Sequence, residues 1–304
     1  MHTNIAPILE SSLAYAGGFL NTGRVSQYIS NLAAANPAHL GCVVMEPGGV
    51  THKAGDWDVH FSIQSISKVI SLMYALKTLG HEVVFDKVGM EPSGDPYNCL
   101  IKLETAGEKP FNPFINAGAI TVISLLAENT PFDEVLDFAG RAFGASVGVD
   151  EDVFAQETHA GTRNRSMAYL MASKGALGEN VETYLSFYFR LCAVSVNAAH
   201  VAHLGAVLAS GGKCPHTGQE IVPQWVVRTT KAIMLTCGMY DGSGDFAVNV
   251  GLPAKSGIGG GIVSCGGGLG IGTFGPALDA KGNSVGGIKT LWHLSEKLGL
   301  HTFV

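Results

Sequence analysis

The stretch Phe61-Ser62-Ile63-Gln64-Ser65-Ile66-Ser67-Lys68 decides how this chain is interpreted, because it leads from a strand-like segment into a long apolar run. It contains a Ser-x-x-Lys motif, Ser65 to Lys68, and the apolar residues 69–76 follow directly. A helix that starts here places Lys68 one turn after Ser65 on the same face. A serine hydroxyl becomes a nucleophile when a neighbouring base takes its proton, and a lysine whose pKa is lowered by burial can be that base. A chain of this length contains about one Ser-x-x-Lys by chance, so the motif needs support from elsewhere.

That support stands near the C-terminus, where Lys255-Ser256-Gly257 lies inside the glycine-rich segment 251–261. Lys-Ser/Thr-Gly accompanies Ser-x-x-Lys in serine β-lactamases and penicillin-binding proteins. On a strand, Lys255 and Gly257 point to the same face, and a glycine lets the strand approach another backbone closely. An ordinary glycine-rich turn is the alternative for this segment taken alone. The two motifs in this order predict a serine acyl-transfer enzyme with two lysines at its centre.

Composition and charge exclude several classes of protein. Of the 304 residues, 46% are hydrophobic and 14% are charged, which is typical of a well-buried globular chain. The formal net charge is −6 and there is no run of Lys or Arg, so we expect no nucleic-acid partner. No apolar segment is long enough to span a membrane, and residues 1–7 lack the pattern of a secretory signal. We therefore expect a cytoplasmic protein with no membrane partner.

Neither a metal nor an organic cofactor is indicated. His200 and His203 share a helical face but lack a third ligand of the right type nearby. Residues 270–275 match Gly-x-Gly-x-x-Gly, but no long helix follows, so we reject a dinucleotide site. We interpret the scattered cysteines, none of them in a Cys-x-x-Cys motif, as reduced and mostly buried thiols. They are Cys42, Cys99, Cys192, Cys214, Cys237 and Cys265.

The order of patterns along the chain predicts an α+β fold, an α/β sandwich. Strand-like segments lie at both ends, including residues 40–45, 59–63, 248–250, 261–265 and 269–274, and the middle is mostly helical. Residues 12–34 also look largely helical, with a break at Gly17-Gly18. The simplest arrangement is one antiparallel sheet built from both termini with a helical lobe inserted. We expect a single domain over 1–304, with a sheet lobe from about 1–64 and 225–304 and a helical lobe from about 65–224. The active site would lie between the lobes.

Separate blocks of this sequence resemble one family. Two of them are Asn112-Pro113-Phe114-Ile115-Asn116-Ala117-Gly118-Ala119 and Phe187-Tyr188-Phe189-Arg190-Leu191-Cys192. The others are residues 23–29, 64–68, 161–164, 237–241 and 251–257. In this order, over nearly the whole chain, they resemble the serine-dependent glutaminases of the bacterial and kidney/liver type, which share the β-lactamase-like fold. The resemblance implies hydrolysis of L-glutamine to L-glutamate and ammonia, without a cofactor, by a homodimer or homotetramer.

The resemblance also implies roles for individual residues. Ser65 would be the nucleophile, Lys68 its base and Tyr240 a group that helps to move protons. The backbone N–H groups of Ser65 and Ile258 would form the oxyanion hole, and Lys255 would support the site. The substrate would be held by Ser65, Tyr240 and Ile258 themselves and by Tyr28, Gln64, Asn116, Glu157, Asn164 and Tyr188.

These roles fit the chemistry of free glutamine. Its α-ammonium and α-carboxylate must be paired when buried. A carboxylate such as Glu157 suits the ammonium, and neutral donors such as Asn116, Asn164 and Tyr28 suit the carboxylate. Asparagine is one methylene shorter, so its amide carbon should fall short of Ser65.

Each ligand also has an ordinary structural alternative. Asn116 precedes an apolar helix and would serve as its N-cap, Glu157 would be a solvated loop acid, and Tyr188 would be plain core. Tyr240 would only form a hydrogen bond in a turn. Around Glu157 the chain departs from the family, which more often has Ser-Glu-Arg there and Asp at the position of Thr162. The spacing from Glu157 to Asn164 is retained.

Two other functions compete with the amide hydrolase. One is another serine acylase of the same fold, such as a β-lactamase or peptidase. Such enzymes need an export signal, and β-lactamases have a middle Ser/Tyr-x-Asn element. Neither feature is evident in this sequence. The other is a non-catalytic sensor of glutamine or β-lactams, which we would expect to have lost Lys68 or Tyr240. Turnover distinguishes the sensor from the enzyme.

Overall fold

The computed structural model describes residues 4–93 and 109–303 and has an α+β fold with an antiparallel sheet. Cys99 lies outside the described residues, and the other five cysteines are free. The α-helices are α1 (Ile5–Gly17), α2 (Ser30–Ala33), α3 (Ser67–Leu79), α4 (His81–Lys87), α5 (Asn116–Ala127), α6 (Phe132–Phe143), α7 (Glu151–Ala160), α8 (Thr162–Ser173), α9 (Val181–Cys192), α10 (Ala198–Ala209), α11 (Gln224–Cys237), α12 (Ser243–Asn249) and α13 (Val285–Leu298). The strands are β1 (Gly41–Met45), β2 (Thr51–Gly55), β3 (Phe61–Ser62), β4 (Ser195–Val196), β5 (Ala254–Ser256), β6 (Gly261–Gly266) and β7 (Leu269–Phe274).

Strands from both ends of the chain form the main sheet, as the sequence predicts. Its order is β2-β1-β7-β6-β5, and every neighbouring pair is antiparallel. The N-terminal β1 pairs with the C-terminal β7 from Gly41 opposite Phe274 to Met45 opposite Gly270. This pairing joins the two ends, and it leaves β5, which carries Lys255, at one edge of the sheet.

Helices cover both faces of this sheet. On one face α1 and α13 pack together over a core that includes Leu9, Ile271 and Leu291. On the other face α10 lies so close that a Cβ at Gly270 would come within 2.0 Å of the Ala206 nitrogen. Beyond α10 a larger core surrounds α3, in which every residue from Ser67 to Leu76 is buried. The buried start of α3 therefore fixes where Ser65 and Lys68 lie.

One local prediction is wrong and two others are correct only in part. Residues 248–249 are the last of α12 and Val250 is its C-cap, so the segment is not a strand. Val248 is 76% exposed whereas Val250 is buried, so the two valines do not share a buried face. The segment 59–63 contributes only Phe61–Ser62 as a strand, and it pairs with β4 outside the main sheet. The stretch 12–34 breaks at Gly17, as expected, where α1 ends after beginning earlier at Ile5. It is less helical than expected beyond that point, because only a 3-10 turn and the short α2 follow.

Among the described residues, no helix combines the length and the apolar character that crossing a bilayer requires.

Candidate active site

Ser65 lies in a tight turn at the start of α3. Residues Gln64–Ile66 form a 3-10 helix that runs directly into α3 at Ser67, so the predicted helix begins as expected but with a tighter first turn. Ser65 is 7% exposed. Gln64 has φ +50°, a left-handed backbone that a residue with a side chain rarely adopts. Such strain persists when the surroundings enforce it, and it is frequent at functional sites.

The edge strand β5 packs against this turn. A Cβ on Gly257 would lie 2.7 Å from the Ile63 carbonyl oxygen and 3.4 Å from the Ser65 nitrogen, so only glycine fits here without displacement. The Gly257 N–H is held by the Gly261 carbonyl, at 3.0 Å. The Ile258 N–H follows in the turn and has no hydrogen-bond acceptor within residues 4–93 and 109–303. The Lys-Ser-Gly motif thus lies beside Ser65, as its strand geometry predicts.

Lys68 is buried one turn after Ser65. Its Nζ donates to the Phe114 carbonyl oxygen at 3.0 Å and to Asn116 Oδ1 at 2.7 Å. Both acceptors are neutral, and the ammonium has no carboxylate partner in the described part of the chain. Burial therefore lowers the pKa of Lys68 to about 7, an effect that the Cys192 sulfur partly offsets. Near neutral pH, a large fraction of Lys68 is the free amine.

The second lysine, Lys255, is fully buried on β5. Its Nζ donates to the Ser256 carbonyl oxygen at 2.6 Å and lies 4.4 Å from the centre of the Tyr240 ring. Burial, followed by the charge of Lys68, holds the pKa of Lys255 well below its ordinary value. The positive charge of Lys68 thus disfavours a second positive charge on Lys255.

Tyr240 completes this group in the 3-10 turn Tyr240–Gly242. It is 7% exposed and has φ +54°. Within the described part of the chain, Gln64 and Tyr240 are the two non-glycine residues with a left-handed backbone, and both belong to the expected site.

A buried carboxylate lies on the other side of Gln64. Glu157, in α7, is 2% exposed, and its Oε1 accepts a hydrogen bond from Gln64 Nε2 at 2.9 Å. The Tyr28 hydroxyl also donates to this carboxylate. Burial raises the pKa of Glu157, and the hydrogen bonds from Gln64 and Tyr28 oppose that rise. A buried acid without a fixed cation is suited to receive a cationic ligand group.

Neutral amides form the remaining wall. Asn116 Nδ2 donates to Asn164 Oδ1 at 2.9 Å, and the Tyr188 hydroxyl lies 3.5 Å from Asn116 Oδ1. Asn116 Oδ1 also accepts from Lys68, so the network runs without interruption from the lysine to Asn164. The structure brings the expected site residues together in two connected groups, around Lys68 and around Glu157.

Two of the structural alternatives are wrong. Ile115 is the N-cap of α5 and Asn116 makes no capping bond, since its side chain turns to Lys68 and Asn164. Glu157 lies inside a helix and is buried, so it is not a solvated loop acid. Sequence reasoning missed the Phe114 carbonyl, which holds Lys68, because a backbone acceptor has no residue signature. It also missed the Cys192 sulfur, 3.8 Å from Ser67 Oγ.

The histidine pair and the Gly-x-Gly-x-x-Gly match noted in the sequence both have structural roles. His203 Nδ1 is bound to the Ala142 carbonyl oxygen at 2.9 Å, and His200 belongs to the capping box of α10. Over the described ranges no cluster of His, Cys, Asp or Glu has the geometry to hold a metal ion. Most of the segment 270–275 is the buried strand β7, which leads into no helix.

Comparisons with known proteins identify the family to which this chain belongs. The model of the Glutaminase family matches residues 23–303. A glutaminase of Clostridium botulinum (strain Loch Maree / Type A3) is 45% identical over 291 residues, which are 94% of this chain and 95% of that protein.

Two solved structures of Bacillus subtilis glutaminase are also similar. A probable glutaminase complexed with 6-diazo-5-oxo-L-norleucine has a TM-score of 0.90 and 36% identity, and the match covers 100% of this chain and 98% of that one. A covalent complex with 5-oxo-L-norleucine, formed by reaction with the same compound, has a TM-score of 0.89 and 36% identity, covering 99% and 100%. The fold is therefore that of the β-lactamase-like glutaminases, and this chain belongs to the glutaminase family of hydrolases.

Proposed function

We propose that this enzyme hydrolyses L-glutamine to L-glutamate and ammonia through an acyl-enzyme on Ser65. The observation that carries the proposal is the buried Lys68, whose pKa is about 7, one turn after a serine at a strained helix start. Family membership supports the same reaction. In the related Bacillus structures the bound compound carries a ketone where glutamine carries its side-chain amide, and one of those complexes is covalent.

The hydrogen bonds of Lys68 fit the role of base. A neutral amine has two N–H groups and one lone pair. Phe114 O and Asn116 Oδ1 take both N–H groups, which leaves the lone pair for the Ser65 proton. An ammonium in the same place would need a third acceptor. The environment therefore favours the state that activates a serine.

In the acylation step, Ser65 Oγ attacks the side-chain carbonyl carbon of glutamine as its proton passes to Lys68. The N–H groups of Ser65 and Ile258 hold the oxyanion, and the collapse of this intermediate breaks the C–N bond. The leaving nitrogen takes a proton from Lys68, directly or through Tyr240, and departs as ammonia. Water then attacks the ester with the same base, which releases glutamate and restores the Ser65 hydroxyl.

The polar wall would select free glutamine. Glu157 would pair with the α-ammonium while Gln64 keeps its carboxylate in place. Asn116, Asn164, Tyr28 and Tyr188 would face the α-carboxylate and the chain. A peptide-bound glutamine lacks both charges and would leave Glu157 buried without a cation, which is costly.

Lys255 would support catalysis without touching the amide. Its Nζ lies over the Tyr240 ring and donates to the Ser256 carbonyl oxygen, two residues before Ile258. We infer that it fixes Tyr240 and the segment that leads to Ile258.

The first experiment is ammonia release from L-glutamine by the wild type and by Ser65→Ala. Asparagine and a chromogenic β-lactam serve as alternative substrates. Ser124→Ala is the matched control, because it removes a buried hydroxyl that only bonds the Thr121 carbonyl in its own helix. We expect release from glutamine alone, lost in Ser65→Ala and retained in the control. Equal release by Ser65→Ala would overturn the proposal, and turnover of the β-lactam instead would favour the second acylase.

The domain organisation, location and assembly of the chain are also proposals. We propose a single domain with the two lobes given above, cytoplasmic, and assembled as a homodimer or homotetramer. Light scattering behind size exclusion at micromolar protein concentration tests the assembly, and a monomer mass would contradict it.

A further inference from the structure

The loop of residues 279–283 contacts the backbone on both sides of Tyr240. Asn283 Nδ2 donates to the carbonyl oxygen of Met239 at 3.2 Å. Lys281 Nζ lies 3.4 Å from the carbonyl oxygen of Asp241. The residues immediately before and after Tyr240 are therefore held by one loop that is about 40 residues further along the chain.

This loop has a fixed shape of its own. Asp279 Oδ1 accepts hydrogen bonds from the N–H groups of Lys281 and Asn283, both at 2.9 Å, and the Asp279 N–H donates to the Asn283 carbonyl at 2.8 Å. Leu278 before it pairs with Arg24, and Ser284 after it caps α13. The Asn283 side chain is thus presented from a rigid frame, and the residue is 1% exposed.

The side-chain amide of Asn283 contributes a hydrogen-bond donor at this position, whereas its carbonyl oxygen contributes no bond within the described residues. Its Oδ1 is buried and accepts no hydrogen bond from the residues that the structure describes. An unpaired buried carbonyl is destabilising, so packing alone would favour an apolar residue here. What asparagine provides at this position is the bond from Nδ2 to Met239 O.

Tyr240 has a backbone that needs such support. Its φ of +54° is unfavourable for an aromatic residue and persists when surrounding contacts enforce it. Ser243 holds the other side of the turn, since its Oγ accepts from the Met239 N–H and donates to the Tyr240 carbonyl. A Cβ on Gly282 would lie 3.7 Å from the Tyr240 ring and 3.4 Å from the Ile258 side chain, so the loop also touches the strand turn beside Ser65.

We propose that Asn283 is a positioning residue, which holds Tyr240 in its left-handed conformation and so places the phenol for proton transfer. The proposal rests on the proposed role of Tyr240 in the hydrolysis of glutamine. Asn283 acts through Met239 and Tyr240 and touches no reacting atom.

The test is the kinetics of Asn283→Leu, which keeps the volume and removes the donor. We expect kcat to fall by about 10²-fold, the loss that a misplaced group causes, with KM for glutamine nearly unchanged. Tyr240→Phe and the double variant complete the cycle. If Asn283 acts only through Tyr240, the double variant is no slower than Tyr240→Phe. Asn249→Leu, which removes an exposed asparagine bonded to the Asp245 carbonyl, is the matched control.

Two kinetic outcomes would overturn the proposal. One is an unchanged kcat in Asn283→Leu. The other is a double variant whose fold-loss of kcat equals the product of the losses in Asn283→Leu and Tyr240→Phe. If Asn283→Leu does not fold, Asn283→Ala is measured in its place. Inactive wild-type protein would refute the proposed function instead, and a crystal structure of the variant would then decide the role of Asn283. A φ at Tyr240 that returns to negative values supports it, and one that stays near +54° contradicts it.

Discussion

At the scale of single residues, the site depends on charges that are difficult to maintain in the interior. Lys68 and Lys255 are buried without a carboxylate partner in the described part of the chain, and Glu157 is buried without a fixed cation. Burial therefore lowers the pKa of both lysines and raises that of Glu157, which favours the neutral form of each. Such an arrangement lowers stability and makes the groups available for chemistry.

The first prediction concerns the pH dependence of catalysis. Because the pKa of Lys68 is about 7, the free amine is the minority form below that pH and the majority above it. We expect kcat/KM for glutamine to rise through pH 7 and to level off above it. A profile measured from pH 5.5 to 8.5 tests this, and a flat profile through pH 7 would contradict Lys68 as the base.

The second prediction concerns Glu157→Gln. The substitution preserves shape but leaves the substrate ammonium without a counter-charge, so we expect KM for glutamine to rise by about 10²-fold with a smaller change in kcat. Steady-state kinetics measure both values. Glu151→Gln, at the exposed first turn of the same helix, is the control. An unchanged KM would remove Glu157 from the binding site.

At the scale of elements, β5 and the start of α3 form the site by their close contact. The sequence predicts both motifs and their order, and the structure places them side by side at Gly257. It does not predict the left-handed backbones of Gln64 and Tyr240, because local propensity disfavours them and only tertiary contacts enforce them. The contact between Asn283 and Met239 joins residues far apart in sequence and has no local signal either.

The third prediction tests this contact with Gly257→Ala. The added Cβ would meet the Ile63 carbonyl oxygen at 2.7 Å and push β5 away from Ser65. We expect kcat/KM to fall by about 10²-fold, because the oxyanion donors are displaced. Gly244→Ala is the control, since its Cβ would meet nothing within 4 Å, and in a helix it should stabilise the protein by about 0.5–1 kcal/mol. Full activity of Gly257→Ala would show that the contact is dispensable.

At the scale of the whole molecule, an antiparallel sheet from both termini supports a site at its edge. The sequence predicts this architecture because strand and helix patterns are separated along the chain. The strand assigned to residues 248–250 is wrong for a physical reason. A short Val-Asn-Val run fits an exposed helix end as well as a strand, and only burial distinguishes the two.

The fourth prediction concerns the pH dependence of stability. Lys68 has a folded pKa of about 7 and an ordinary value of 10.5, so between these values the unfolded chain binds more protons than the folded one. The free energy of unfolding should therefore rise with pH in this window, by at most about 1.4 kcal/mol per pH unit for one lysine. Urea unfolding at pH 7, 8 and 9 measures it. Lys68→Met should reduce the slope, and an unchanged slope would mean that Lys68 is charged in the folded protein.

The most direct test of the central claim is to identify the residue that becomes acylated or alkylated. The protein would be treated with 6-diazo-5-oxo-L-norleucine, and the modified peptide would be located by mass spectrometry, with Ser65→Ala in parallel. We predict a single adduct on Ser65, absent from the variant and prevented by excess glutamine. An adduct on another residue, or the same adduct on Ser65→Ala, would contradict the account of a Ser65 acyl-enzyme.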